Sequence, residues 1–392
     1  MTERLKAGAL LGTHIPRLME LWREGHNLDR RFTEKHRLSG REIEVAGASL
    51  LALQRGLTGG RSLAGAGYMD DPAILGAYLL YYWPVSYMQV SLALAENPGF
   101  PRRVLDLGSG PGPASAALID TLSESGASLD ELVLVDGSRK ALDLAASMLG
   151  GMPGCPSRLT TVRLDLESEA ALPEGPFDLV IIGHCLNELW VSKGDALDRR
   201  TELLERVAAS LAPGGRFLLV EPALLATCRG LISLRDRLVS RSWRVVGPCP
   251  GSYPCPALVA GAQRSCHAES PWKAPEMVAS LAKAAGLDRD SVKFAYFFLT
   301  PKSDVCGEPD EGSLEIRRVV SSPMLNKAGR TRYILCGDGK LETISGPAKL
   351  IMDLHRGDVI CASGLEPRPG GGRGLVPGSI LELRAQAPEA SP

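Results

Sequence analysis

The stretch VLDLGSGPG, residues 104–112, constrains the fold of this chain more than any other. An apolar run of strand character carries one acidic residue, Asp106, then breaks into glycines at alternate positions, Gly108, Gly110 and Gly112, and opens the helical PASAALIDTLSES. Glycine lets a backbone turn sharply and approach a ligand closely, so the segment reads as a strand-to-helix turn built around a ligand. The theme then repeats: ELVLVDGS, RKALDLAASML, RLTTVRLDL, FDLVIIGHCL, a helix from about 201 to 211, and GGRFLLVEPAL. Buried strands alternating with helices of this length predict an α/β fold, a doubly wound, Rossmann-like parallel sheet. Turns of this kind also serve dinucleotides, so acidic positions must narrow the ligand. Asp136 ends the second strand, where a carboxylate can bind both ribose hydroxyls, and Asp165 ends the third, near where an adenine ring would lie.

Three further regions surround this core. Residues 1–100 read as helical, with apolar residues at helical spacing around Leu18, Leu21 and Trp22 and again at Ile43, Ala46, Leu50 and Leu53. A glycine-rich break, residues 56–72, leads into a stretch free of charged residues, 72–95. That stretch is long enough to cross a bilayer, but Pro84 and scattered tyrosines favour two buried helices meeting at Pro84, with Asp71 as a cap and Pro72 in the first turn. The core occupies 101–300 and carries a cysteine loop at 244–272, and short strands over 313–386 predict a small β-barrel or sandwich. Between 313 and 384 eleven basic residues face seven acidic ones, so this part is basic although the whole chain has a net charge of −1. Arg317, Arg318, Lys327, Arg330, Arg332 and Lys340 could line one side of it, as phosphate contact requires, or form a solvated basic face. The N-terminal residues show scattered charges and no apolar segment with a cleavage site, which predicts no secretory signal.

Nine cysteines without an export signal point to metal binding, catalysis or buried single thiols rather than structural disulfides. Cys249, Cys255 and Cys266 crowd one loop, with Pro250 and Pro256 directly after the first two. Three soft ligands suit an iron–sulfur cluster or zinc, and a fourth is needed. No C-x2-C knuckle of the kind zinc prefers occurs; the fourth ligand stays open among His267, directly after Cys266, and Cys155, Cys185, Cys228, Cys306, Cys336 and Cys361, and Cys336, before the turn GDGK, could emerge toward another domain. At the end of the fourth strand, in IIGHCLNEL, His184 could act as a base, and Asn187 or Glu188 could position a substrate. The plainer alternatives are that Asn187 caps the following helix and Cys185 packs against the sheet.

With Asp106, the glycines, Asp136 and Asp165 in this order, the core resembles a class I S-adenosylmethionine-dependent methyltransferase. The whole order of parts is similar to the methyltransferase-like proteins of the mitochondrial ribosomal small subunit and their bacterial relatives. The residues that carry this run from GLTGGRSLAGAGYMDDPAILGAYLLYYWPVSY through VLDLGSGPG and CPGSYPCP to RRVVSSPM. The resemblance implies S-adenosyl-L-methionine bound at Asp106, Gly108, Gly110, Gly112, Asp136 and Asp165. It also implies a 4Fe-4S cluster (alternative: zinc) on Cys249, Cys255, Cys266 and Cys336, and binding to small-subunit rRNA and ribosomal proteins during assembly. The expected setting is the cytoplasm of a bacterium, or the mitochondrial matrix in a eukaryote, with no membrane association and a monomer off the ribosome. An active RNA methyltransferase is the competing expectation. Gly251 and Ala268 stand where the family often has a histidine and an aromatic residue.

Overall fold

The apolar spacing near the N-terminus resolves into helices α1 (Ala7–Gly25) and α2 (Gly40–Thr58), which bury Leu18, Leu21 and Trp22, and Ala46, Leu50 and Leu53, respectively. The structure, a computed structural model, describes residues 7–26, 37–58, 61–63, 67–301, 315–325, 329–347, 351, 353–369 and 371–388. The charge-free stretch forms α3 (Pro72–Ala77), a π-helical turn (Tyr78–Tyr82) and α4 (Trp83–Glu96). As expected, Asp71 caps α3, its carboxylate accepting from the backbone of Ala73 at 2.8 Å and Ile74 at 3.2 Å. The join lies in the π turn just before Pro84, whose nitrogen has no hydrogen to donate. Among the described residues no helix is long and apolar enough to cross a membrane.

The sheet that follows is the predicted doubly wound one. Strands β1 (Arg103–Leu107), β2 (Glu131–Asp136), β3 (Arg158–Arg163), β4 (Phe177–Gly183) and β5 (Leu211–Pro222) run parallel in the order β3-β2-β1-β4-β5. β1 is flanked on both sides and almost wholly buried, whereas β3 alternates between half-buried and exposed. Helices α5 (Pro113–Glu124), α6 (Arg139–Leu149) and α7 (Ala196–Ala208) connect the strands; α7 starts earlier than the sequence suggested. The turn where the strand order reverses lies between β1 and β4, where open α/β sheets take their ligands.

The chain divides into two compact units, Met1–Glu221 with Ser270–Val292, and Pro222–Glu269 with Lys293–Pro388. This differs from the boundaries expected at residues 100 and 300. The N-terminal helices share one core with the sheet: His14 of α1 meets Asp120 of α5 at 2.7 Å, and Tyr87 of α4 donates to the same carboxylate. Helix α10 (Glu276–Ala285) also belongs to this unit, its Ala284 lying close against Gly47 of α2.

In the second unit α8 (Leu225–Ser240) precedes β6 (Arg244–Gly247), a one-turn helix α9 (Pro256–Val259) and the short β7 (Ala268–Pro271). Strand β8 (Ser291–Thr300) runs antiparallel to β6, with Val245 opposite Leu299. The expected β region is one eight-stranded sheet rather than two stacked ones. It comprises β9 (Glu315–Val319), β10 (Met324–Leu325), β11 (Arg330–Gly337), β12 (Lys340–Pro347), β13 (Val359–Ser363), β14 (Glu366–Pro367), β15 (Arg373–Gly374) and β16 (Ile380–Ala385). Its core gathers Val319, Tyr333, Leu335, Ile344 and Ile360. The β11–β12 hairpin turns at Asp338 and Gly339, both with positive φ (47° and 69°), the pairing that an Asp-Gly turn favours.

Candidate cofactor site and four-thiol cavity

Asp106 is 1% exposed at the end of β1. The Ser115 hydroxyl of α5 donates to its Oδ2 at 2.6 Å, while Oδ1 is buried with no hydrogen-bond partner. Burial pushes this carboxyl up to about 7, with the Asp136 charge adding to the effect. Gly108 has φ of 69°, and a Cβ there would stand 2.3 Å from Cys185 Sγ, so only glycine fits. The amides of Gly108 and Ser109 donate to the Val135 carbonyl at 2.7 and 3.0 Å, folding the loop onto the end of β2. Asp136 accepts from the Gly110 amide at 2.9 Å and the Ser138 amide at 2.8 Å. The buried Trp83 indole donates to the Pro111 carbonyl at 2.9 Å, so the N-terminal helices help set the loop. A glycine-rich turn beside a buried carboxylate oxygen without a partner fits a cofactor with a polar, cationic end. Asp165 lies two residues beyond β3 and is exposed, its carboxylate accepting from the Glu167 amide at 2.9 Å.

The three candidates at the end of β4 come together with residues the sequence did not single out. His184 has φ of 59°, its buried Nε2 has no partner, and burial pushes the ring down to about 4, so it is neutral. Asn187 does not cap the next helix, which begins only at Ala196. Its amide group donates to Glu221 Oε2 at 2.6 Å and its Oδ1 accepts from Arg61 at 2.5 Å. Cys185 packs against the glycine loop itself. Glu188 accepts from the Tyr68 hydroxyl at 3.2 Å. Burial, reinforced by the Glu221 charge, pushes Glu188 up to about 8, and burial alone pushes Glu221 up to about 7. Glu221 carries the same signal as Asp106 and Asp136, an acid closing an apolar strand, and could have been found in FLLVEP. Arg61 and Tyr68 sit in the glycine-rich break, which has no periodicity to mark them.

In the second unit Cys249, Cys255, Cys266 and Cys336 line one cavity of about 110 Å³, with Arg318, Arg356 and His267. Helix α8 holds the loop that lines it. Arg235, 1% exposed, donates to the carbonyls of Gly251 (2.9 Å) and Tyr253 and to Asp236 (2.5 Å), and Asp236 accepts from the Cys255 amide at 2.9 Å. Arg318 donates to the Pro248 carbonyl at 3.1 Å. The loop's backbone carbonyls are thus held from both ends. Burial pushes Cys249 up to about 12 and Cys255 to about 11, and raises Cys266 and Cys336 too, so without a cationic guest all four are thiols. The described cysteines form no disulfide. Among the described residues no three Cys, His, Asp or Glu side chains are placed to hold a single metal ion. Cys306 lies outside the described residues.

The family described as mitochondrial small ribosomal subunit Rsm22 matches residues 74–344. The chain belongs to the Rsm22 family. It is also 30% identical over 270 residues to the human mitochondrial ribosome assembly protein METTL17, covering 64% of this chain and 55% of that protein, about half its length. Among solved structures it is similar to a SAM-dependent methyltransferase of the DUF858 family from Leishmania major, at 16% identity, TM-score 0.36, and 65% and 83% of the two chains. The plantazolicin methyltransferase BpumL matches at 11% identity and TM-score 0.33, over 67% and 98%. The glycine loop and all four cavity cysteines of this Rsm22-family chain lie within the matched residues, whereas Arg61, Tyr68 and Asp70 precede them.

The basic residues of this chain's C-terminal part separate into two groups. Arg317 and Arg318 are buried, at 8% and 7% exposure: Arg317 pairs with Asp338 at 2.6 Å, and Arg318 faces the thiol cavity. As neighbours on a strand they point to opposite faces, and both faces of β9 are covered at this point. Arg330 is half-buried and donates to the Ser345 carbonyl at 3.2 Å, while Arg332 and Lys340 are exposed. Lys327 lies outside the described residues.

Proposed function

We propose that this Rsm22-family protein is an assembly factor of the small ribosomal subunit that binds S-adenosyl-L-methionine in its first unit, a 4Fe-4S cluster in its second, and small-subunit rRNA. The observation that carries the reading is Cys336 on β11 lining the same cavity as Cys249, Cys255 and Cys266, although seventy residues separate it from the last of these. A single zinc needs its sulfurs about 2.3 Å from one point. A four-iron cube spaces its four cysteines more widely, as thiols arranged around a cavity would be. Bound there, the cluster would supply a crosslink between the loop and the sheet and a charge that responds to redox state. Arg235 and Arg318 would shape the loop that receives it, and with Arg356 would offset the negative charge of four thiolates. In the first unit, Asp106 and the glycine turn would take the methionine end of the cofactor and Asp136 the ribose, with Asp165 toward the adenine. Arg332, Lys340, Arg330 and Lys327 are the residues proposed for phosphate contact.

The test is anaerobic purification with iron, acid-labile sulfide and zinc measured per chain, beside the visible spectrum. Iron and sulfide near four each support the reading; zinc or no metal sinks it. Methyl transfer is tested separately with labelled cofactor and small-subunit particles. The assembly reading expects particles bound and unlabelled, and labelling would replace it with an active RNA methyltransferase.

A further inference from the structure

The chain before α3 bridges the two sides of the glycine loop. The turn Tyr68–Asp70 reaches residues on both sides of the glycine loop. On the β2 side, Asp70 Oδ1 accepts from the Ser138 hydroxyl at 2.7 Å, and the Asp70 carbonyl accepts from Lys140 Nζ at 2.6 Å. On the β4 side, the Tyr68 hydroxyl donates to Glu188 at 3.2 Å. Between them Met69 is the nearest neighbour of the open side of Gly110, 3.9 Å from where a Cβ would lie. Arg61 completes the closure, donating to the Asn187 carbonyl at 2.9 Å and side chain at 2.5 Å from a strained φ of 51°.

We infer that the Tyr68–Asp70 turn is a latch that forms the outer wall of the cofactor site, retaining S-adenosylmethionine or its demethylated product. The inference rests on the cofactor reading above. Asp70 and Ser138 hold one end and Tyr68 and Glu188 the other, so the cofactor enters and leaves only when these bonds part. The same closure uses the polar groups a methyl acceptor would meet: Asn187 is taken by Arg61 and Glu221, and Glu188 by Tyr68. A latched site of this kind holds its cofactor and offers no open polar edge to a nucleobase.

The experiment measures affinity and dissociation rate of S-adenosylhomocysteine on the full chain, with amide hydrogen exchange across residues 68–71. For the wild type, slow dissociation is expected, with slower exchange at the Asp70 and Asp71 amides, which bond to Gly67 and Tyr68. Asp70→Ala and Tyr68→Phe should each release the ligand about tenfold faster, the effect of one lost hydrogen bond. Asp70→Asn, which keeps an acceptor oxygen, should behave as the wild type. Asp70 is exposed, so its variants test the latch without emptying the core. Wild-type binding with unchanged release in both Asp70→Ala and Tyr68→Phe would overturn the latch and leave the cofactor reading standing. Failure of the wild type to bind S-adenosylhomocysteine would overturn the cofactor reading itself.

Discussion

Gly108 and Cys185 face each other across the glycine turn with no space between them. Gly108→Ala forces both a left-handed alanine and a Cβ only 2.3 Å from Cys185 Sγ, so the expected loss is about 2–4 kcal/mol, read from urea unfolding. Adding Cys185→Gly should return part of it by removing the overlap and leaving the backbone strain. Glu188 gives a pH signature. Its carboxyl is held up at about 8 against 4.5 for an unperturbed glutamate. Between those values the unfolded chain has released the proton while the folded chain keeps it, so stability falls as pH rises through the window. Asp106 and Glu221, held up at about 7, add to the same fall. Glu188→Gln should flatten it, with the variant gaining on the wild type from pH 5 to pH 8. An unchanged gap in urea midpoint at the two pH values would refute this assignment.

At the scale of elements, capping and tethering decide where the site residues lie. Asp71 closes the first turn of α3 directly after the Tyr68–Asp70 turn, so Asp71→Ala should cost about 1 kcal/mol in a thermal melt. Helix α8 carries the buried Arg235, which gathers two loop carbonyls and Asp236. Arg235→Met leaves those acceptors without their donor and should destabilise by about 3 kcal/mol. It should also lower iron retention, which Asp71→Ala should leave alone. The Asp71 cap is legible in the sequence, but the Arg235 tether is not. An arginine within a helix reads as a surface residue, and its burial follows only from the loop folded over it.

At the scale of the molecule, the glycine loop and the four-cysteine cavity lie in two different chain-discontinuous units. Cys336→Ser should reduce iron per chain, and full iron content in a folded variant would exclude Cys336 as a ligand. Charge reversal at Arg332 and Lys340 should weaken small-subunit rRNA binding by about tenfold and lower the salt slope by about one per charge. Arg317 and Arg318 are unsuitable for that test, because reversing them breaks the interior first.

Amino-acid order alone was enough for the parallel core, the capped α3, the glycine turn with Asp106 and Asp136, and the β11–β12 hairpin. Each rests on local physics: apolar periodicity, glycine's freedom at positive φ, a cap next to its helix. Tertiary structure decided what depends on distant chain segments. It joined the N-terminal helices to the sheet in one core, placed Cys336 beside the loop cysteines, and turned Arg317 and Arg318 inward. It also brought Arg61 and Tyr68 onto Asn187 and Glu188, more than a hundred residues away. Hydrogen bonds between residues so far apart leave no period or spacing in a single sequence, because any order that closes the same core would allow them.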